Sequence, residues 1–465
     1  MNQAGDGGRP AELRALAQEI YMAGVKAADP AEAVRRALRI KNDRLEILLS
    51  PGTADSEIRS GEWRAVRPIA IGKAAIAMAR AAGELLPGRL FQGDGIIVTN
   101  HENAASATKV SGFELIGAGH PLPDESGLYG GRRVMEIAGQ AGEDELVLVL
   151  VSGGGSALVP APAPPITFAE KIETTDLLLA SGADIVQMNC VRKHLSSLKG
   201  GGLARCAAPA ALHALILSDV IGDDLSAIAS GPTVADTTSF AEAIEILKNG
   251  CAWDRVPESV RHRLNEGRAG RIEETPKPGD AIFQKTGATL IGSNGLSLAA
   301  TETLAQKLGF ETHIVSEALC GEAQAAAELI LDHALTVERG AGRPLALLAG
   351  GETTVTLQGD GRGGRNQEMA LAFAMRAADR GLMGRWAFLS GGTDGRDGPT
   401  DAAGGLVDPG SMARIAAAGG NAAALLGNND SYQALASAGD LLKPGATGTN
   451  VADLQVLLLE PDRSR

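Results

Sequence analysis

The stretch Leu146–Ser156, LVLVLVSGGGS, decides the fold class of this chain. Its six consecutive apolar residues lack polar alternation, which indicates a strand that is buried on both faces, as in a parallel sheet covered by helices. Helical patterns at 74–86 and 125–141 alternate with further short apolar runs. Strands are therefore predicted at 68–71, 96–99, 113–117, 146–151 and 214–217. The result is an open α/β domain, whose ligands collect at the carboxyl ends of the strands.

A second α/β series follows a polar, charge-dense stretch at 265–279, which has the composition of a linker. Strands of this series are predicted at 288–291, 312–315, 345–348, 386–389 and 454–459, and helices at about 296–308 and 322–337. Two further helices, at 11–28 and from Asp29-Pro30 onward, precede the first series and have no evident functional residues. We therefore predict two domains with a cleft between them.

The composition excludes several classes of partner. The chain has 465 residues and a formal net charge of −13, so it lacks the basic balance of a protein that binds nucleic acid or an anionic membrane. The four cysteines are far apart and form neither a zinc pattern nor a disulfide framework. The N-terminal MNQAGDGGRP lacks the order of a signal peptide, and no apolar run is long enough to span a bilayer. We expect a cytoplasmic protein with small-molecule substrates.

Two candidate anion sites follow predicted strands of the first domain. Lys73 comes directly after the strand at 68–71 and at a helix start, where a cation is unfavourable unless an anion joins it. The alternative is a lysine that merely extends into solvent. The glycine loop that follows the strand at 146–151 could form a nest of backbone N–H groups around an anion, or could simply be a flexible turn. The candidate cofactor-binding residues of this loop are Ser152, Gly153, Gly154, Gly155 and Ser156.

Polar and charged residues toward the end of a predicted helix, at about 183–198, are weaker candidates. Asn189 and Lys193 lie four residues apart on one helical face, within a basic segment that also contains Arg192, His194 and Lys199. Cations near a helix C-terminus are favourable in themselves, so this signal is weak.

Aspartates supply the candidate bases and metal ligands. Asp219 follows the strand at 214–217 and could hold Mg²⁺ or accept a proton, although the 219–224 cluster also suits a solvated loop or a helix cap. In the second domain, Asp394 and Asp397 lie in a loop rich in aspartate whose spacing is not that of an EF-hand. Asp394 is the second metal candidate, and Asp397 the second candidate for a catalytic carboxylate.

The stretch 349–368, AGGETTVTLQGDGRGGRNQE, is predicted to run from a short strand through a glycine-rich loop into a helix that begins near Arg365. Such a loop, with an arginine at a helix start, suits an anion. Residues 359–364 match the dinucleotide fingerprint G-x-G-x-x-G. However, the preceding 353–358 alternates like a half-exposed strand, and the next strand does not end in an acidic residue for a ribose. We therefore interpret the match as accidental.

Seven motifs, in this order along the chain, resemble the glycerate 2-kinase family, whose C-terminal part is known as the MOFRL domain. They are AIGKAA (70–75), GHPLPDESG (119–127), VSGGGSAL (151–158), NCVRKHLSSLKGGG (189–202), SDVIGDDLSAIASGPTVAD (218–236), AGGETTVTLQGDGRGGRNQE (349–368) and SGGTDGRDGPTDAAGG (390–405). The resemblance covers most of the chain, from about residue 70 to residue 453.

The resemblance implies a Rossmann-like parallel-sheet domain at 1–270 and an α/β MOFRL domain with a mixed sheet at 271–465, with the active site in the cleft between them. It implies that the ATP γ-phosphoryl group is transferred to the 2-hydroxyl of D-glycerate, with Mg²⁺. The family's motif lysine corresponds to Lys73 and its motif arginine to Arg365, and both are expected to face the reacting phosphate. Asp219 or Asp397 would then orient the acceptor hydroxyl.

Two other functions stay open at this point. Some relatives have carried the older name of hydroxypyruvate reductases, so an NAD(P)H-dependent hydroxypyruvate reductase is the alternative enzyme. A non-catalytic sensor of sugar acids or nucleotides is the third hypothesis. The oligomeric state, including a homodimer, is left open.

Overall fold

The computed structural model describes residues 9–51, 55–91, 93, 95–338 and 342–460. Residues 1–8, on which the signal-peptide expectation mainly rests, lie outside the described residues. The chain forms two compact units. Pro30–Ile291 is the middle unit, and Met1–Asp29 together with Gly292–Arg465 is the terminal unit.

The helices and strands are numbered in chain order. The described helices are α1 (Arg9–Ala27), α2 (Pro30–Ala37), α3 (Ala75–Leu85), α4 (His101–Ser106), α5 (Glu125–Gly139), α6 (Gly155–Leu158), α7 (Phe168–Ala180), α8 (Ile185–His194), α9 (Gly202–Ala207), α10 (Phe240–Asn249), α11 (Glu258–Arg268), α12 (Asn294–Lys307), α13 (Ala323–Glu338), α14 (Arg365–Arg380), α15 (Ser411–Ala417), α16 (Ala422–Gly427) and α17 (Ser431–Ala438). The described strands are β1 (Leu38–Lys41), β2 (Arg44–Leu48), β3 (Ile58–Ser60), β4 (Ala65–Ile71), β5 (Gly95–Asn100), β6 (Phe113–Ala118), β7 (Glu145–Val151), β8 (Ala211–Leu217), β9 (Thr286–Gly292), β10 (Glu311–Leu319), β11 (Leu345–Gly351), β12 (Arg385–Gly392), β13 (Gly404–Val407), β14 (Leu441–Leu442) and β15 (Asp453–Glu460).

The middle unit is built on a sheet with the strand order β6-β5-β4-β7-β8-β9. Neighbouring strands from β6 through to β8 all pair in parallel, and β9 extends the sheet beyond β8. This is the doubly wound order 3-2-1-4-5-6, in which the direction of winding reverses between the two central strands. Here those strands are β4 and β7, so the fold itself marks the end of this strand pair as the place for a ligand.

The central strand β7 is buried along its whole length, as its apolar run predicts. Leu146, Leu148 and Leu150 pack into the core on one face of the sheet, and the alternating valines pack into the core on the other face. Because successive side chains of a strand point to opposite faces, a strand with a core on each side must be apolar at every position. The predicted parallel α/β domain is therefore confirmed.

A helical layer made of α7, α8, α10 and α11 completes the middle unit and has an apolar core of its own. Asp184 and Thr167 cap α8 and α7 through capping boxes, in which each cap exchanges hydrogen bonds with the residue three positions later. A separate small antiparallel sheet, β1-β2-β3, was not predicted.

The terminal unit contains the mixed sheet β10-β11-β15-β12-β13-β14. The strands β11 and β12 both pair antiparallel with β15, so both end at the edge where β15 begins. Helix α1, from the other end of the sequence, packs against α12, β12 and β15. Its buried residues Leu13, Ile20 and Tyr21 belong to the same core as the apolar residues of β15.

The compact units divide the chain differently from the predicted boundary at 270/271. The strand at 288–291 was predicted to open the second series, but it lies in β9 and completes the sheet of the middle unit. The polar stretch at 265–279 is held to that unit, because the Glu274 carboxylate accepts a hydrogen bond from the Phe240 N–H (2.8 Å) and the Asp236 N–H donates to the Pro276 carbonyl (2.8 Å). The stretch is therefore packed on the middle unit through part-buried hydrogen bonds, and exposed charges such as Arg271 and Glu273 account for its polarity.

The strand predicted at 353–358 is absent from the structure. Strand β11 ends at Gly351, and the residues from 352 to 364 are irregular apart from a bridge between Glu322 and Thr354. The N–H groups of Gln358 and Gly359 donate to the Asn429 side chain instead of a neighbouring strand. The helix predicted to begin near Arg365 is confirmed as α14. No helix within the described residues is long and apolar enough to cross a bilayer.

Candidate active site

Lys73 and the glycine loop Ser152–Ser156 meet at the carboxyl ends of the central strands β4 and β7. The Lys73 N–H donates to the Gly153 carbonyl (2.9 Å), and the Ala74 N–H donates to Ser152 Oγ (3.0 Å). A Cβ on Gly72, which has φ +124°, would lie 2.2 Å from Ser152 Oγ, so only glycine permits this approach. The structure therefore brings together the two anion sites predicted separately from the sequence.

The Lys73 side chain is exposed, and its ammonium has no ion-pair partner among the described residues. Its backbone is held firmly, since the Asn103 amide donates to the Lys73 carbonyl (2.8 Å). The charge of Lys73 and the burial of the His120 imidazole both lower the pKa of His120, with burial the larger cause. A cation that has no acidic partner, at the reversal point of a doubly wound sheet, is suited to an anionic ligand.

Asp219 lies against the glycine loop. It follows β8, and a Cβ on Gly153 would lie only 2.2 Å from its Oδ2 atom. Burial raises the pKa of the Asp219 carboxyl, although the charge of Lys73 opposes this. Lys73, the loop and Asp219 thus form one cluster at the ends of β4, β7 and β8, in which a cation and a carboxylate lie on either side of the glycine loop.

Asn189 and Lys193, the candidates on α8, have different surroundings. The Lys193 ammonium is buried and pairs with Asp236 at 3.2 Å, so its charge is already neutralised. The Asn189 side-chain oxygen accepts a hydrogen bond from Ser230 Oγ (3.0 Å), which in turn contacts Ser156 Oγ (2.7 Å) at the end of the glycine loop. Asn189 is thereby linked to the loop, and Lys193 serves the packing of the helical layer.

Arg365 is held by two carboxylates in the terminal unit. Its Nε and Nη2 atoms donate to the buried Asp453 carboxylate at 2.6 and 2.9 Å, and its Nη1 atom pairs with Glu352 at 2.9 Å. Burial acts to lower the pKa of the Arg365 guanidinium, but the hydrogen bond and charge of Asp453 outweigh it and raise that pKa. Arg365 is therefore rigidly oriented, and its positive charge is shared with two acids.

Asp397 caps the helix that begins at Arg365. Its carboxylate accepts hydrogen bonds from the backbone N–H groups of Asn366 (3.2 Å) and Gln367 (2.8 Å), and from the Gln367 amide (3.0 Å). Burial, with a contribution from the Asp453 charge, raises its pKa to about 6 in spite of these bonds. Asp394 lies in the same loop, and its Oδ1 atom accepts from the Arg396 N–H (2.9 Å).

The match to the dinucleotide fingerprint at 359–364 has a structural explanation. A Cβ on Gly359 or Gly361 would collide with Asn428, at 2.2 and 2.4 Å, and a Cβ on Gly364 would lie 2.4 Å from Asp397 Cγ. These glycines allow the loop to pack against its own unit, where no strand precedes it. They do not form the strand–turn–helix cradle that a dinucleotide requires.

Sequence reasoning missed two groups of residues. Asp453 and Glu352 hold Arg365, and the position of Asp453 directly before the predicted strand at 454–459 could have revealed it, because an antiparallel strand begins where its neighbours end. Lys171 was missed because it lies outside the seven motifs, and Ser230 was missed because only the aspartates of the motif at 218–236 were considered as candidates. Their role depends on tertiary neighbours that a linear pattern does not contain.

Within the described part of the chain there is no cluster of three or more His, Cys, Asp or Glu side chains arranged to hold a metal. Magnesium, however, is commonly bound through one or two carboxylates together with the phosphates of a substrate. The described residues give no hydrogen-bonded side-chain partner to the Asp219 carboxylate, so it fits a ligand role of that kind.

Family comparisons cover both units. The family described as a domain of unknown function, DUF4147, matches residues 16–265, and the MOFRL family matches residues 345–453. The chain is similar to a glycerate 2-kinase of Pyrococcus horikoshii, with 39% identity over 98% of this chain and 99% of that protein. It is also similar to the human glycerate kinase, with 36% identity over 97% of this chain and 94% of that protein.

Solved structures agree with the architecture. A crystal structure of a glycerate kinase from Thermotoga maritima matches with a TM-score of 0.85 and 37% identity, over 97% of this chain and all of that chain. A Pyrococcus horikoshii crystal structure matches with the same TM-score and 38% identity, over 97% and 99% of the two chains. The similarity thus extends over both units, and it includes the residues around Lys73 and those around Arg365.

Proposed function

The chain belongs to the glycerate kinase family, and on that premise we propose that it transfers the γ-phosphoryl group of ATP to the 2-hydroxyl of D-glycerate. In this reaction a bond forms between the hydroxyl oxygen and the γ-phosphorus, and the bond from that phosphorus to ADP breaks. The single observation that supports the assignment of roles is the cluster of Lys73, the glycine loop and Asp219 at the reversal point of the parallel sheet.

Lys73 and the glycine loop are suited to the migrating phosphoryl group. Phosphoryl transfer needs positioning and positive charge more than covalent participation by the protein. The exposed Lys73 ammonium supplies a charge without an acidic partner among the described residues, and the backbone N–H groups at Gly153–Gly155 supply fixed dipoles. These groups are in place before the ligand arrives, so little reorganisation is needed.

Asp219 is the residue we assign to the acceptor hydroxyl. The hydroxyl proton must leave as the new oxygen–phosphorus bond forms, and a carboxylate with a raised pKa accepts a proton more readily than an ordinary one. The helix-capping bonds of Asp397 occupy both of its oxygens and support a structural role instead. Of the two carboxylates predicted from the sequence, we therefore choose Asp219.

Mg²⁺ would be held by Asp219, together with the phosphates of ATP, and Asp394 is the corresponding carboxylate in the terminal unit. Bound there, the ion would neutralise part of the negative charge that develops on the phosphate oxygens. Arg365, oriented by Asp453 and Glu352, is the cation of the terminal unit that we expect to face the nucleotide or the product. The active-site cleft between the two domains stays a prediction, as do a homodimer and a cytoplasmic location.

The test is a coupled assay of ADP release with ATP, Mg²⁺ and D-glycerate, in which phosphorus NMR identifies the product. We expect release of ADP that depends on D-glycerate and a signal of the 2-phosphate. Formation of the 3-phosphate alone would disprove the choice of hydroxyl. Absence of ADP release, combined with NADH oxidation by hydroxypyruvate, would favour the reductase hypothesis over the kinase.

A further inference from the structure

The helical layer of the middle unit contains an unusual group of buried cations. Lys171 on α7 and Lys199, which follows α8, are only 7% and 2% exposed, and Arg192 on α8 is half-buried close to them. Each lies close enough to the next for their charges to repel, and Arg263 on α11 adds a further positive charge near Lys171. Buried lysines and arginines are normally paired with acids. We call Lys171, Arg192 and Lys199 the basic pocket.

No acidic side chain among the described residues pairs with the basic pocket. The Lys171 ammonium donates only to the Leu195 carbonyl, at a long 3.4 Å, and the Arg192 guanidinium has no hydrogen-bond or ion-pair partner in the described chain. The neighbouring Lys193, in contrast, has its own carboxylate in Asp236. An arginine has five N–H donors, and those of the half-buried Arg192 are not sealed from solvent, so they can donate to an anion that enters.

Lys199 connects the basic pocket to the glycine loop. Its ammonium donates to the carbonyl (3.1 Å) and hydroxyl (2.8 Å) of Ser156 and to the hydroxyl of Ser230 (3.2 Å). Asn189 lies three residues before Arg192, on the same side of α8, and bonds to Ser230. We call Ser156, Ser230 and Asn189 the serine network.

The backbone at the serine network is strained. Ala229 and Ser230 have φ values of 51° and 61°, in the left-handed region that residues with a Cβ seldom adopt. Such conformations are unfavourable for residues with a Cβ, and they persist mainly at functional sites. The strained turn holds the Ser230 hydroxyl beside Lys199.

We propose that the basic pocket binds the carboxylate of the acceptor hydroxy acid, and that the serine network contacts the hydroxyl group that does not receive the phosphoryl group. This inference rests on the proposed kinase function and adds the recognition of the acid substrate. Hydroxyls and a carboxamide beside a guanidinium match a small molecule that carries a carboxylate next to hydroxyl groups. The step requires only binding, so no bond is made or broken in the pocket.

The charges favour a monoanion over the phosphate chain of ATP. Burial is the main cause that lowers the pKa of Lys171 to about 7 and the pKa of Lys199 well below its ordinary value. Arg192 is therefore the member of the pocket that stays charged throughout the neutral range. A single permanent charge balances one carboxylate. The exposed Lys73, which lies beside the glycine loop, is the better match for a polyphosphate.

The experiment compares Arg192→Gln with the wild type in steady-state kinetics. We expect the KM for D-glycerate to rise about 10- to 100-fold, as for the loss of a charge-assisted pair of hydrogen bonds, while the KM for ATP stays unchanged. Arg192→Lys keeps the positive charge but lacks the paired N–H donors of a guanidinium, so it should give an intermediate KM for D-glycerate. Arg133→Gln is the matched control, because Arg133 is a partly buried arginine that pairs with Glu114 and Glu136. It should leave both KM values unchanged.

A second readout separates recognition from folding. Glycerol lacks the carboxylate, so Arg192→Gln should reduce the preference for D-glycerate over glycerol, measured as a ratio of kcat/KM values. A rise in the KM for ATP alone would assign the pocket to the nucleotide instead, and unchanged values for both substrates in a folded variant would make the pocket structural. Either result would overturn the inference.

Failure of the proposed function is recognised separately, because wild-type protein would then release no ADP in the presence of D-glycerate. In that case calorimetry with D-glycerate, without ATP, tests the pocket directly. Binding by the wild type that is lost in Arg192→Gln and kept in Arg133→Gln supports the pocket. No binding by the wild type overturns it.

Discussion

Lys73 and Arg365 have the same expected role, but their surroundings differ. The Lys73 ammonium is exposed and has no acidic partner among the described residues, whereas the Arg365 guanidinium neutralises the fully buried Asp453. The sequence predicted both residues from motifs. It did not predict this difference, because Asp453 lies 88 residues after Arg365 in the sequence. At the scale of a residue, the identity of a site group was predictable and its electrostatic partner was not.

We expect Lys73→Ala to lower kcat strongly with little change in stability. The substitution deprives no acidic side chain among the described residues of an ion-pair partner. Arg365→Ala should also reduce turnover, but it should in addition destabilise the protein by about 3–5 kcal/mol, since it leaves Asp453 buried without its partner. Urea unfolding measured alongside kinetics distinguishes the two effects. Equal stability of the two variants would contradict the assigned role of Asp453.

The raised pKa of Asp397 predicts a pH dependence of stability. Its carboxyl has an ordinary pKa of 3.8 and a native pKa of about 6, so between these values the native state holds a proton that the unfolded state has lost. The wild type should therefore lose stability, relative to Asp397→Asn, by about 3 kcal/mol as the pH rises from about 4 to about 6. Denaturant unfolding of both proteins across this window measures the difference. A difference that is constant with pH would show that Asp397 is not protonated there.

A second titrating group is Lys171, which faces Arg192, Arg263 and Lys199. Burial and the charges of Arg192 and Arg263 lower the pKa of Lys171 to about 7, so it loses its proton as the pH rises through neutrality. If the basic pocket binds a carboxylate, the KM for D-glycerate should increase above that pH, because the attraction of the charged ammonium is lost. Lys171→Met should flatten this profile while Arg133→Gln retains it. An equally steep profile in Lys171→Met would assign the pH dependence to another group.

At the scale of elements, the apolar run of β7 was sufficient to predict a buried parallel strand and the position of the glycine loop after it. The prediction of a strand at 353–358 was wrong, because polar and apolar residues also alternate in a loop that hydrogen-bonds to Asn429. Short strands such as β13 and β14 were missed, since their few residues carry no distinguishable period. Length and full burial therefore decided which elements were predictable.

The loop after β7 can be tested by Gly153→Ala. The added Cβ would lie 2.2 Å from Asp219 Oδ2, so the carboxylate must move away from the loop. We expect a loss of kcat of about tenfold or more, because displacement of a catalytic group by about 1 Å is costly. Gly139→Ala in α5 is the control, because its nearest neighbour is Cys206 Sγ at 3.5 Å, an ordinary contact. If the kcat of Gly153→Ala equals that of the wild type, Asp219 takes no part in the reaction.

At the scale of the whole molecule, the sequence predicted two α/β domains but not that the chain begins in one unit, passes through the other and returns. Helix α1 has an ordinary amphipathic pattern that gives no sign of its partner. Its location follows from the complementary apolar faces of α12 and β15, which are several hundred residues away in the sequence. Domain membership of a terminal helix is a tertiary property, and it could not be read from local composition.

We expect a fragment of residues 292–465 to lack cooperative unfolding, because it exposes the apolar surface that α1 covers. Each large apolar side chain of α1, such as Leu13 or Ile20, accounts for about 2–5 kcal/mol, and together they exceed the usual stability of a domain. Joining residues 9–28 to the fragment should restore a cooperative transition in circular dichroism. A version of the joined segment with Leu13 and Ile20 changed to alanine is the control and should fail to do so. Cooperative unfolding of the fragment alone would contradict this account.

The return of the chain to its first unit also affects synthesis on the ribosome. Helix α1 emerges well before the sheet that it covers, because that sheet is complete only after β15 has been made. Translation of residues 30–291 takes roughly 10 to 50 s at ordinary elongation rates, and the middle unit can fold within that time. During this interval the apolar face of α1 remains on the nascent chain without its partner. We therefore expect α1 to be the segment of the nascent chain that most needs protection by chaperones.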